Sequence, residues 1–78
     1  MLALMVDHLG LAGLHERCAD AAQSLASQLS QLACDAWRGG ASDGYRARLL
    51  EVRAGLMDLA ERHRAAATSE RLRALGEP

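Results

Sequence analysis

The feature that most limits the fold of this chain is a pair of long apolar patterns with helical spacing, separated by Gly39-Gly40. The only proline is Pro78, isoleucine is absent, and the β-branched residues amount to two valines and one threonine. Strands are therefore poorly supported, since they favour β-branched and aromatic residues. A paired glycine between two helical patterns is typical of a turn. The sequence predicts an all-α, single-domain hairpin over residues 1–78.

The first apolar pattern advances in steps of three and four for about seven helical turns. Its members are Leu11, Leu14, Cys18, Ala22, Leu25, Leu29, Leu32 and Ala36. Beside it runs a row with a spacing of seven, formed by Ala12, Ala19, Ala26 and Ala33. This row either allows another helix to approach closely or is a chance feature of an Ala-rich chain. We expect a first helix that begins near residue 3 or near residue 11 and ends near residue 36.

The second pattern has heptad spacing and follows a predicted N-cap at Ser42. Its members are Tyr45, Leu49, Val52, Leu56, Leu59, His63 and Ala66. Leu50 and Met57 lie on a different flank of the same helix. We expect a turn over residues 37–41, a second helix over 42–67, and a flexible or short helical tail over 68–78.

Two apolar flanks on the second helix favour self-association. One flank can face the first helix, whereas the other needs a second chain, unless Leu50 and Met57 are simply exposed. A chain of 78 residues also buries a small core by itself. We therefore expect an antiparallel helix-turn-helix hairpin that dimerises into a four-helix bundle, with itself or with another chain. The packing is assigned to Leu11, Leu14, Leu25, Leu29, Leu32, Leu49, Leu50, Val52, Leu56, Met57 and Leu59.

The charge pattern argues against nucleic acid and membrane as partners. The formal net charge is −1, and the arginines of the second half are interleaved with acids. The apolar N-terminal stretch has no preceding basic residue and is too short to span a bilayer. We expect neither nucleic-acid binding, nor membrane insertion, nor a Sec signal peptide.

Reactive side chains are few, and no catalytic or cofactor-binding constellation is present. His8, His15 and Cys18 could supply three zinc ligands from one helix face, but a border His beside a buried Cys is the commoner arrangement, so no metal site is predicted. Cys34 lies roughly 24 Å from Cys18 along one helix, which excludes a disulfide between them. These cysteines are therefore buried thiols or form an intermolecular bridge. His63 either fixes the register of helix pairing or forms a pH-sensitive contact, or it simply lies at the edge of the heptad pattern.

The junction Trp37-Arg38-Gly39 is followed by Tyr45, eight residues after Trp37. This arrangement resembles the WXG family, and the resemblance covers about residues 11 to 67. These are the small ESX-type helical proteins, including the early secreted antigenic target group, of type VII secretion systems. In physical terms, Gly39 is expected to reverse the backbone and the ring of Trp37 to cap the end of the bundle. The resemblance implies that Trp37 and Gly39 also form part of a recognition surface for export, with Tyr45 opening the second helix.

The resemblance implies a substrate or escort that pairs with a second WXG-type chain and leaves the cytoplasm by a Sec-independent route. The family's Tyr-x-x-x-Asp/Glu signal after the second helix is missing, because Tyr45 is the only tyrosine and Leu49 follows it four residues later. The signal that engages a secretion ATPase must then come from the partner, or this chain is not exported by that route. The alternative is a cytoplasmic homodimeric adaptor or scaffold with no role in export.

Overall fold

The computed structural model describes residues 7–40 and 42–76. It contains two helices, α1 (His8–Arg38) and α2 (Asp43–Gly76), which pack against each other along their length. The hairpin measures 59 × 17 × 14 Å. The predicted all-helical hairpin is therefore confirmed for the described part of the chain.

The start of α1 is fixed by a side-chain cap. The Oδ1 atom of Asp7 accepts a hydrogen bond from the backbone N–H of Gly10 at 2.8 Å, which satisfies a donor that the first helical turn leaves open. The helix thus begins at His8, between the two starts that the sequence offered; residue 3 lies outside the described residues. At the other end, the N–H of Gly39 donates to the Asp35 carbonyl at 2.9 Å and closes the helix after Arg38.

The chain reversal depends on Gly40 rather than on Gly39. Gly40 has a φ of +74°, a left-handed conformation that costs little only for glycine. Gly39 has an ordinary φ of −82°, although a Cβ atom there would lie 3.3 Å from the Asp35 carbonyl oxygen. Ser42 then caps α2, because its Oγ accepts the N–H of Tyr45 at 3.1 Å.

The second helix was expected to end near residue 67 and to be followed by a flexible or short helical tail; in the structure, α2 is helical as far as Gly76. Ala67 and Glu70 are buried, and the carboxylate of Glu70 contacts His8 at the start of α1. Packing against α1 therefore extends over most of the segment that was expected to be a tail.

The two helices meet through rows that advance in steps of three and four, which we call the inner rows. In α1 the buried and partly buried members are His8, Ala12, His15, Ala19, Ala22, Ala26, Leu29, Ala33 and Ala36. In α2 they are Arg46, Leu49, Arg53, Leu56, Ala60, His63, Ala67, Glu70 and Ala74. Every fully buried hydrophobic residue in the described chain is an alanine. The alanine row of the first helix therefore is the contact row, and its small side chains let the helix backbones approach closely.

The larger apolar residues assigned to the packing divide into two groups. Leu29, Leu49 and Leu56 are partly buried in the inner rows. The others are exposed in the hairpin: Leu11, Leu14, Leu25, Leu32, Leu50, Val52, Met57 and Leu59. A contact row of alanine leaves bulkier neighbours at its margins, so Leu29 is the only leucine of the first apolar pattern that lies in the inner rows.

Candidate interaction surface

One edge of the helix interface is polar in the part of the hairpin away from the turn. Arg71 forms an ion pair with Glu16, and Arg64 donates a hydrogen bond to Gln23. Arg64 also lies 4.0 Å from Asp20. Glu16, Gln23, Arg64 and Arg71 each follow a buried alanine by four residues, so they form the flanking rows on one side of the inner rows. We call this side the polar edge.

The opposite edge is apolar on both helices. Its residues each directly precede an inner-row residue, which places them on the other side of the interface from the polar edge. They are Leu11, Cys18, Leu25 and Leu32 on α1, and Tyr45, Val52, Leu59 and Ala66 on α2. We call these eight residues the apolar face.

The apolar face is continuous and open to solvent in the single hairpin. The three leucines of α1 are 37–49 % exposed, and Tyr45, Val52 and Leu59 are 44–47 % exposed. Leu14, one turn from Leu11 and Cys18 on α1, widens the surface and is exposed as well. The surface thus presents a heptad pattern on each of two neighbouring helices, which is the arrangement that helix bundles bury.

The second apolar flank predicted on α2 lies elsewhere. Leu50 and Met57 are exposed, but they belong to the same row as Arg64 and Arg71 on the polar edge. The apolar face is formed instead by half of the heptad pattern that was expected to face the first helix. Sequence reasoning found these residues, but it could not separate two adjacent heptad rows.

The turn motif is divided between the two edges. The Trp37 ring is 70 % exposed and does not fill the turn. The guanidinium carbon of Arg46 lies 4.1 Å from its centre, and Arg46 also pairs with Asp43. Trp37 continues the row of Glu16 and Gln23, whereas Tyr45 belongs to the apolar face, so the hairpin does not bring Trp37 and Tyr45 to one surface.

Ionisable side chains occupy the inner rows far from the turn. The Nδ1 atom of His8 is 2.5 Å from Oε2 of Glu70, and Arg73 donates to Oε1 of the same carboxylate at 2.7 Å. The hydrogen bond from His8 lowers the pKa of Glu70; burial acts in the opposite direction, and the charge of Arg73 adds to the lowering. One heptad closer to the turn, Nδ1 of His15 lies 2.8 Å from Nδ1 of His63.

The geometry separates the residues that were weighed as zinc ligands. His8 and His15 each contact a different residue of α2, and Cys18 is a partly buried free thiol. In residues 7–40 and 42–76, no group of three or more His, Cys, Asp or Glu side chains could hold a metal ion. Cys34 is a free and exposed thiol.

Neither helix, as far as it is described, has a stretch long and apolar enough to cross a bilayer. No family model matches the chain, and comparisons with curated proteins and with solved structures give no significant match. A function can therefore be proposed only from the geometry of the hairpin and from the Trp37-Arg38-Gly39 turn.

Proposed function

We propose that this chain is a WXG-type partner protein that completes a four-helix bundle with a second chain and acts as a substrate or escort in a type VII secretion system. The observation that carries the proposal is the apolar face, which extends over both helices of the hairpin. The resemblance of the turn to the WXG family supplies the link to secretion.

The energetics of the hairpin support a partner. Its fully buried hydrophobic residues are all alanines, whereas the leucines of the apolar face remain about half exposed. Complete burial of a Leu or Val side chain stabilises a fold by about 1.5–3 kcal/mol relative to exposure. A second hairpin on the apolar face would supply this contribution to both chains, as in four-helix bundles.

The position of Trp37 is compatible with a separate recognition role. Its ring lies on the row of the polar edge, so a partner on the apolar face would leave it accessible, whereas Tyr45 would be covered. In the proposed complex the export signal after α2 belongs to the partner, because this chain has no tyrosine beyond Tyr45.

The association part of the proposal is tested by mass measurement in solution. We expect the purified chain, or the chain co-expressed with a second small Trp-x-Gly protein encoded nearby, to have the mass of two chains by light scattering. The double substitution Leu25→Asp and Val52→Asp should abolish the complex. The matched control, Leu72→Asp, changes an exposed leucine outside the apolar face and should leave the mass unchanged. A well-folded wild-type monomer at all concentrations, with and without the candidate partner, would refute the bundle.

The secretion part has its own test. The tagged full chain should appear in the culture medium of its host together with its partner, and deletion of the secretion ATPase should retain both in the cells. Trp37→Ala should reduce export while leaving the two-chain mass unchanged.

The adaptor alternative is favoured by one observation, the missing tyrosine signal. It predicts a homodimer through the same apolar face, without ATPase-dependent export. A two-chain mass for the isolated protein, combined with retention in cells whether or not the ATPase is present, would select the adaptor.

A further inference from the structure

The inner rows differ in chemistry along the hairpin. Toward the turn, from Ala22 to Ala36 on α1 and from Arg46 to Leu56 on α2, their members are alanine, leucine and arginine, without a histidine or a carboxylate. Toward the free ends, the inner rows contain three histidines and Glu70. We call residues 22–36 with 46–56 the turn half, and residues 8–19 with 60–74 the open half.

The contact between His15 and His63 requires an unequal sharing of protons. The two Nδ1 atoms are 2.8 Å apart, so one ring must carry hydrogen on Nδ1 while the other presents its Nδ1 lone pair. This condition is met by two neutral rings in different tautomers, or by one imidazolium and one neutral ring. It fails when both rings are protonated, because both Nδ1 atoms then carry hydrogen and both rings carry positive charge.

From this geometry we propose that the His15–His63 pair makes the open half of the hairpin acid-sensitive, so that protonation of both rings separates the helix ends while the turn half stays packed. The device is a property of the single hairpin and does not depend on the proposed function. It would allow acidification to loosen one end of the hairpin without unfolding the whole chain.

The surrounding charges do not relieve the repulsion between two imidazolium rings. On the polar edge, the carboxylate of Glu16 is paired with Arg71, and Asp20 faces Arg64, so these two carboxylates and two guanidinium groups balance one another. Each histidine ring is also partly buried, which raises the cost of a second charge.

His8, Glu70 and Arg73 form a second ionisable group nearer the helix ends, which we call the outer layer. Acidification affects its contribution to stability in the opposite direction. Protonated His8 facing the carboxylate of Glu70 forms a charged pair, with Arg73 on the other carboxylate oxygen. The outer layer therefore stabilises the hairpin more strongly during the first stage of acidification, until Glu70 itself is protonated. A measurement on the wild-type chain alone would sum two opposing effects, and the experiment has to separate them.

The experiment compares the pH dependence of unfolding by urea at fixed protein concentration, between pH 7 and pH 5, for matched variants. In a His8→Gln background the outer layer no longer gains, so the folding constant should fall on acidification, with a limit of about tenfold per pH unit for one excluded proton. Adding His63→Gln, or separately His15→Gln, should remove most of this dependence, because glutamine is neutral and still forms hydrogen bonds. An equal slope with and without the second histidine would overturn the proposal.

Hydrogen exchange on the His8→Gln variant, in which the contact between His8 and Glu70 no longer opposes the effect, provides a second readout. After correction for intrinsic exchange rates, we expect protection to fall at pH 5 in the open half relative to the turn half. Equal loss in both halves, or no loss in either half, would overturn the localised opening.

Discussion

The guanidinium carbon of Arg46 lies 4.1 Å from the centre of the Trp37 ring, across the turn that joins the two helices. Arg46 belongs to the inner row of α2, and its other contacts include the carboxylate of Asp43. The exposed Trp37 ring therefore contacts a guanidinium group whose residue belongs to the helix interface. The contact is a cation–π interaction, worth about 0.5–1 kcal/mol at an exposed site.

Replacement of Arg46 by methionine should destabilise the hairpin by about 0.5–1 kcal/mol, because it keeps the apolar stem but removes the charge over the ring. Trp37 is the only tryptophan, so its fluorescence should change in the folded state and report the loss directly. Asp43→Asn is the control, since it removes the ion pair but leaves the cation–π contact. Unchanged fluorescence in Arg46→Met would contradict the stacking.

Substitution of Gly40 by alanine should destabilise the chain by about 1–2 kcal/mol, because φ at this position is +74°. Gly55→Ala is the matched control: the residue lies inside α2, has open space around its Cβ position, and should stabilise by about 0.5–1 kcal/mol. Chemical denaturation of the two variants checks the opposite signs. A loss in Gly55→Ala as large as that in Gly40→Ala would show that the turn conformation is not the cause.

The positions of the helices could be predicted from local signals. The Gly39-Gly40 pair marked the turn and Ser42 marked the start of α2, since turns and caps depend on residues close in sequence. The expectation that Gly39 reverses the backbone was wrong, because either glycine can adopt positive φ and no local signal distinguishes Gly39 from Gly40.

The face through which the helices meet could not be chosen from sequence. Leu25 and Ala26 are neighbours that lie about 100° apart on the helix, and each belongs to a row with heptad spacing. Burial of apolar area favours the leucine row, whereas close approach of the helix backbones favours the alanine row. The hairpin packs through the alanine row and leaves the leucines of the apolar face exposed at one edge.

The contacts between histidines were also beyond sequence reasoning. The sequence placed His63 in the heptad pattern of the second helix. Its contact with His15 depends on the register of two antiparallel helices, and the two residues are 48 positions apart in the chain. Glu70 lies in the segment that was expected to be a flexible or short helical tail. Because Glu70 is polar, it does not continue the apolar pattern from which the end of the helix was predicted.

Enlargement of the contact row should force the helices apart. Ala19 is fully buried and lies in the core cluster with Ala22, Ala60 and Leu56. Ala19→Leu should therefore destabilise the hairpin by about 1–3 kcal/mol through overpacking. Ala54→Leu introduces the same side chain at an exposed position of α2 and should have little effect on the free energy of unfolding. If Ala19→Leu left stability unchanged, the leucine row rather than the alanine row would form the contact.

Glu70 should make stability depend on pH in the acid range. Its pKa is lowered, chiefly by the hydrogen bond from His8, so its ionised form stabilises the folded chain. The contribution is present above the ordinary carboxyl pKa of 4.5 and is lost as the pH falls through the lowered pKa of the folded state. Glu70→Gln should lower the midpoint of thermal unfolding at pH 6 and flatten its decline between pH 5 and pH 3. Glu51→Gln, at an exposed position of the same helix, is the control and should behave as the wild type. Parallel declines for both variants and the wild type would show that the contact between Glu70 and His8 does not contribute.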